Sequence, residues 1–284
     1  MSASGQTVVI RPRSGWVPVD FREVWHHREL ALMLAWREIL IRYKQSLIGA
    51  AWAIVQPLAT MLVFTVLFGL LLGRGHLPTD HGVPYAVSTY CALLPWQLFA
   101  QSVARASVSI TTNQSLISKV YFPRLIIPLA PVLAALADFG IAFLLLIGMM
   151  LWYKILPGTA IFFLPVFILM ALATALGSSL LLAAANTVYR DIQQAVPFLI
   201  QILMYVSPVL YSAQSILHNQ PQWVQVLYFL NPMTGVVEGF RWALLGAAPP
   251  QPLILSASIL AVSLLLLGSA YYFKRIERQF ADIV

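Results

Sequence analysis

Six apolar runs punctuate the 284-residue chain, at residues 48–73, 84–110, 125–151, 161–186, 195–212 and 252–273. A bilayer core takes about 20 mostly apolar residues per helix, so each run predicts a membrane-crossing helix. The fifth is the shortest. Ahead of the first run, residues 20–44 show a helical period instead. Phe21, Val24, Trp25, Leu32, Trp36, Ile39 and Tyr43 fall on one stripe, broken by Arg28, while Arg22, Glu23, His26, Arg37 and Lys44 fall away from it. Asp20 and Glu23 have the spacing of a capping box. An aromatic stripe backed by charges predicts an amphipathic helix lying in the membrane interface. Between Tyr211 and Pro252 the chain carries Trp223, Tyr228, Phe229, Phe240 and Trp242, more aromatics than a plain loop holds. That segment predicts short helices that dip back into the membrane, broken at Asn231 and Pro232. The pattern as a whole predicts an all-α polytopic membrane protein. It divides into a tail (1–19), an interfacial helix (20–45), a six-span domain (46–273) and a second tail (274–284).

Composition agrees with the pattern. The chain is 60% hydrophobic and 10% charged, against about 45–50% and 25% in soluble domains. Too few charges remain to coat a water-exposed surface. The single cysteine, Cys91, excludes an internal disulfide and a multi-cysteine metal site. The net charge of +7 does not point to nucleic acid, because the cations flank apolar runs instead of forming one patch.

The cations also orient the chain. Thirteen of the 17 Lys and Arg residues fall on one side of the spans. Arg74, Lys154 and Arg241 fall on the other, and Arg105 lies inside the second run. The positive-inside rule then places both termini in the cytoplasm, as an even number of spans requires. Residues 1–20 lack the apolar core of a cleavable signal, so the mature chain is expected to begin at Met1.

Some positions inside the runs are polar. Pro57 frees a carbonyl and kinks its helix, and the adjacent Gln56 either satisfies that backbone or faces a polar path. Asp138 is the one carboxylate deep in any run and must face protein or water. A hydrogen bond, a pairing with Arg105 and a coupling-ion role all stay open for it. Sugar rings offer C–H patches to aromatic faces and hydroxyls to amides. A wall for such a polymer therefore mixes aromatics with scattered amides. Trp52 and Gln56 in the first run, and Tyr85, Tyr90, Trp96, Gln97, Phe99 and Gln101 in the second, supply that mixture. Glu238 and Arg241 stand three apart and can pair on one helix. GLLLG (69–73) and GVVEG (235–239) have small-xxx-small spacing but lie at or beyond span ends.

Enzymatic chemistry has no foothold. No phosphate-cradling G-x-x-x-x-G-K-[ST] loop, H-E-x-x-H or G-x-S-x-G occurs. Apart from the adjacent His26 and His27, the five histidines do not cluster, and no metal site is expected.

An ordered series of segments carries a more specific signal: RYKQSLIGAAWAIVQPL (42–58), KVYFPRLIIPLAPV (119–132), NTVYRDIQQAVPF (186–198), SPVLY (207–211), LNPMTGVVEGFRWALLG (230–246) and KRIERQFADIV (274–284). The series resembles the membrane subunit of ATP-binding-cassette exporters of bacterial polysaccharides, the family that moves O-antigen, capsule and teichoic-acid chains. The resemblance implies a homodimer bound to two copies of a separate ATPase subunit, which holds ATP and Mg. It implies an undecaprenyl-linked polysaccharide as substrate and a bacterial inner membrane as location, with no cofactor on this chain. It implies that Asn113, Gln114, Ser115, Leu116, Ile117 and Lys119 form a helix docking on the ATPase, near which Tyr189, Arg190 and Asp191 also lie. It makes Asn231, Pro232, Glu238 and Arg241 part of an extracytoplasmic gate. The rivals are an ABC permease for a small drug or lipid, and an ion-coupled carrier. The YFPR, YRD and FAD segments argue against the first, and the lack of a clear internal repeat against the second.

Overall fold

A computed structural model describes residues 21–44, 48–72, 82–217 and 219–277. The expected tail 1–19, the capping residue Asp20 and residues 278–284 of the second tail lie outside the described residues. Every regular element among those described is helical. In chain order the helices are α1 (Phe21–His26), α2 (Arg28–Tyr43), α3 (Trp52–Leu72), α4 (Tyr85–Thr112), α5 (Gln114–Lys119), α6 (Ile126–Trp152), α7 (Leu164–Val188), α8 (Ile192–Val206), α9 (Ala213–Leu217), α10 (Gln222–Phe229), α11 (Pro232–Leu245) and α12 (Pro252–Glu277). Tight 3₁₀ turns at Gly49–Ala51 and Thr159–Phe163 lead into α3 and α7.

Among the described residues four helical stretches are long and apolar enough to cross a membrane: Gly49–Gly69, Ile126–Trp152, Thr159–Val188 and Pro252–Glu277. Two of the six expected spans differ. Helix α4 has the length, at 28 residues, but carries Gln97, Gln101, Arg105 and a series of hydroxyls. It is the inner helix of the bundle, packed along α6 and α7. Several of its hydroxyls fold back on the helix: Ser107 donates to the Ala104 carbonyl at 3.0 Å and Ser109 to that of Ala106 at 2.7 Å. Helix α8 stops at Val206 after 15 residues, not at residue 212. At 1.5 Å per residue it measures about 22 Å, against a hydrocarbon core of about 30 Å. Pro208 is what ends it, because Ser207 before the proline is pushed into the extended region.

The expected interfacial helix is two helices hinged at His27. Trp25, Leu32 and Trp36 of the expected stripe are exposed, with Arg28 over the Trp25 ring at 5.6 Å, while Val24 packs on a buried cluster and Tyr43 turns in to Asp138. A different face packs against protein. Ala31, Leu34 and Ala35 bury themselves in a cluster with Ile126, Ile127 and Ala130 of α6 and Phe273 of α12. Small side chains there let α2 lie close along α6.

Helix α11 is enclosed by α4, α7 and α12. Close approach is why Gly235 and Gly239 sit in it. A Cβ at Gly239 would overlap the Phe167 ring of α7, and one at Gly235 would press into Ser258 of α12. The GVVEG spacing thus serves packing within one chain. Gly239→Ala gains up to about 1 kcal/mol of helix propensity. The buried ring cannot yield to the new methyl, and overpacking costs about 1–3 kcal/mol. The variant should unfold several degrees lower in detergent, whereas Gly246→Asn, at a left-handed helix end with open space around it, should not.

Candidate functional site

A cavity of about 530 Å³ opens between α2, α3, α4, α6 and α8. Four residues named for a glycan wall meet on it: Trp52 and Gln56 from α3, Gln97 and Gln101 from α4. The spacing of four places each pair on one helix face. Gln56, beside Pro57 inside α3, is exposed on the cavity, and its backbone carbonyl accepts from the Thr60 hydroxyl at 2.9 Å. Gln97 and Gln101 stand 3.5 Å apart, so their amides form one polar strip.

The other four wall candidates lie elsewhere. Tyr85 donates to the Leu210 carbonyl at 2.9 Å and Tyr90 to that of Ala142 at 3.2 Å. Trp96 and Phe99 pack together with ring centroids 5.3 Å apart, buried in the main core. These four side chains hold helices together within the chain. Sequence offers a hint for two of them: at 100° per residue Trp96 and Phe99 fall away from the Gln97–Gln101 face, whereas Tyr90 shares that face and lies two turns away along α4.

The cavity is anchored by an ion pair that spacing along the chain could not show. Asp138 on α6 pairs with Arg42 at the end of α2, not with Arg105. Tyr43 donates to the same carboxylate at 2.5 Å, and Arg42 also donates to Gln101 Oε1 at 3.2 Å. Burial, then repulsion from Arg105, lowers the Arg42 guanidinium to about 10, against partial support from Tyr43 and Glu38. It remains a cation at neutral pH. Arg105 itself lines the cavity one turn beyond Gln101.

The other candidates sit at the two ends of the bundle. At one end is α5. Asn113 occupies its N-cap position but does not cap it. Its amide instead donates to the Ser109 carbonyl at 2.8 Å and its Oδ1 accepts from Arg37 of α2 at 2.6 Å. Leu116 and Ile117 turn inward onto the α2–α6 cluster. Gln114, Ser115 and Lys119 point out, followed by exposed Val120 and Tyr121. Arg124 donates to the Glu277 carbonyl at 2.7 Å and fastens this loop to α12. Tyr189, Arg190 and Asp191 are exposed in the turn before α8. Asp191 stands at the N-cap position without a side-chain bond to the helix.

At the other end, Glu238 and Arg241 form the expected pair, at 3.0 Å and deeply buried. Arg241 also donates to the carbonyls of Pro208 at 2.7 Å, Val209 at 3.0 Å and Tyr211 at 2.9 Å. Glu238 accepts from the Ala213 amide at 2.8 Å. Together they hold the turn that follows α8. Asn231 caps α11 by accepting from the Met233 amide at 3.2 Å, with Pro232 at the first helical position, and its own amide donates to Ser207 at 2.9 Å. Among the described residues no cluster of three His, Cys, Asp or Glu could hold a metal ion.

Comparison with known proteins adds a family. The model described as "ABC-2 type transporter" matches residues 29–245. The chain is 28% identical over 265 residues to the O-antigen export system permease protein RfbA of Myxococcus xanthus, covering 93% of this chain and 98% of that one. It is 24% identical over 257 residues to a Klebsiella pneumoniae protein of the same name, covering 90% and 95%. It is 26% identical over 214 residues to the polysialic acid transport protein KpsM of Escherichia coli, covering 74% and 78%.

Proposed function

From the premise that this chain belongs to the ABC-2 type transporter family, we propose that it is the membrane permease of a bacterial exporter of an O-antigen-like, undecaprenyl-linked polysaccharide. The observation that carries the glycan reading is the cavity wall. One tryptophan face and three amides at helical spacing suit a polymer of sugar rings, which needs grip without tight binding. Full-length similarity to relatives named for O-antigen export agrees with it. A small-drug permease would want an enclosed apolar pocket with few polar groups.

The rest of the arrangement fits the same reading. Two chains would pair as a homodimer, with α4 and α8 completing six spans each and both termini in the cytoplasm of the inner membrane. The exposed apolar flank of α3, Leu62, Val63, Val66 and Leu67, then faces lipid or the second copy. Gln114, Ser115, Lys119 and the exposed Tyr189–Asp191 turn would meet the two ATPase subunits, which hold ATP and Mg. Leu116, Ile117 and Asn113 would transmit the push inward, because they contact α2 and the main bundle. Helices α9 to α11 would re-enter the membrane at the far end, with the Arg241–Glu238 brace at the outlet.

The test is to co-express the chain with the ATPase encoded beside it, purify the complex and measure ATP hydrolysis with and without undecaprenyl-linked glycan from the same cells. Co-purification and glycan-stimulated hydrolysis are expected. In cells, Trp52→Ala with Gln56→Leu should lower surface polysaccharide several-fold while the complex still assembles. Unchanged export by that double variant would remove the wall role. An assembled complex stimulated by a lipid or drug and indifferent to glycan would transfer the chain to the rival class.

A further inference from the structure

The cavity holds more positive charge than its fold uses. Arg42 reaches Asp138 and Gln101 through Nη1 alone. Its Nε and Nη2 are buried and take no partner among the described residues, although the side chain is nine-tenths buried. Arg105, on the same cavity, has no bonded or ion-pair partner among the described residues. The neighbouring carboxylate of Glu38 sits 3.6 Å from Arg37. Asp138 is engaged by Arg42 and Tyr43. Counting both carboxylates against their partners leaves one guanidinium over. Buried guanidinium donors left open cost folding energy unless something fills them, and a fork of N–H groups fits phosphate oxygens.

We propose that Arg105, with the open donors of Arg42, forms a binding site for a phosphate or pyrophosphate group, and that the amides of Gln97 and Gln101 complete it. Resting on the export reading, the group in question is the phosphate-bearing head of the lipid to which the glycan is joined. A free anion has the same chemistry and would use the same donors. The placement is consistent with a moving cargo. The amide strip and Trp52 begin directly beside the two arginines, so a head held there leaves the first sugars against the wall. Asp138 keeps the site from holding an anion irreversibly, because it already competes for Arg42.

The experiment uses the full chain in nanodiscs of neutral phosphatidylcholine, with undecaprenyl pyrophosphate as one probe and inorganic pyrophosphate as the other. Charge-assisted hydrogen bonds of this kind correspond to about a tenfold change in affinity each. Arg105→Gln should weaken probe binding about tenfold, whereas Arg275→Gln, on the exposed end of α12, should leave it unchanged. A second readout leaves both arginines intact. Cys91→Ser with Ala104→Cys puts the only thiol on the cavity rim, and a bound probe should slow its reaction with maleimide. Protection by the lipid probe assigns the site to the head group. Protection by inorganic pyrophosphate alone assigns it to a free anion. Binding indifferent to Arg105→Gln, with no protection of the Ala104→Cys thiol by either probe, overturns the site. Neither readout needs the ATPase or the glycan, so failure of polysaccharide export and failure of this site are read separately.

Discussion

Arg241→Ala is expected to lower the unfolding temperature of the purified chain by about 10 °C. Removing one member of a buried, bonded ion pair costs about 3–5 kcal/mol, because the partner is left charged and unpaired, and each kcal/mol moves the midpoint of a chain this size by about 2–4 °C. The variant loses more than Glu238. The carbonyls of Pro208, Val209 and Tyr211 also give up their donor, in a region where water reaches poorly. Because these carbonyls belong to the turn after α8, the loss should be local first. Hydrogen exchange of residues 207–213 should rise before that of α4 or α7. Arg241→Lys keeps the charge but not the planar fork, so it should fall between the two. Glu238→Gln, which retains an acceptor for the Ala213 amide, should cost less than Arg241→Ala. An Arg241→Ala chain that melts with the parent would mean that the turn is held by packing alone.

The pairing of Glu238 with Arg241 was legible because both residues ride one helix, where a spacing of three fixes the geometry. What they grip was not. The carbonyls of the 207–211 turn are some thirty positions away, and nothing in a backbone carbonyl marks it in the sequence. The same division runs through the cavity. The apolar period gave the helices, and the four-residue spacing within α3 and α4 put Trp52 with Gln56 and Gln97 with Gln101. Aromatic content alone misled for Tyr85, Tyr90, Trp96 and Phe99, since an aromatic ring serves a core as readily as a wall. The end of α8 was misjudged for a related reason. Residues 207–212 are apolar enough to extend the run, and only the proline and the distant arginine turn the chain.

Asp138 was the most visible anomaly in the sequence, and its partner was the least visible. A carboxylate deep in an apolar run demands a cation, and Arg105 was the one cation inside another run. The cation that meets it arrives from outside the spans, on α2. Small residues at Ala31 and Ala35 allow this by letting α2 lie along α6, so that its last turn comes level with Asp138. Trp25 and Trp36 of the aromatic stripe drew attention to an exposed face, whereas Tyr43 at the end of the same stripe turns in to the carboxylate.

Asp138→Ala should therefore act on α2 more than on the spans. The substitution leaves Arg42 buried without its carboxylate and Tyr43 without its acceptor, a loss of about 3–5 kcal/mol by the same reasoning as for Arg241. The guanidinium has an escape that Arg241 lacks, because α2 lies on one side of the bundle and can lift away. The expected result is partial release of α2, seen as faster hydrogen exchange across 36–43 with the spans still protected, and lower export from cells. Arg42→Met combined with Asp138→Leu removes both charges and should recover much of the docking, so a double-mutant cycle isolates the pair. A coupling below about 0.5 kcal/mol would show that the two side chains act independently. The consequence reaches Arg37, about one and a half turns earlier on α2. Arg37 binds Asn113 beside α5, and Arg42 binds Asp138 beside the cavity, so one rigid helix links the proposed ATPase contact to the transport path. If that link carries the stroke, Asp138→Ala should leave assembly and basal ATP hydrolysis near normal while glycan no longer stimulates the ATPase. Arg37→Ala should show the same uncoupling from the α5 side. Stimulation that survives both substitutions would assign the stroke to α4 and α6 instead.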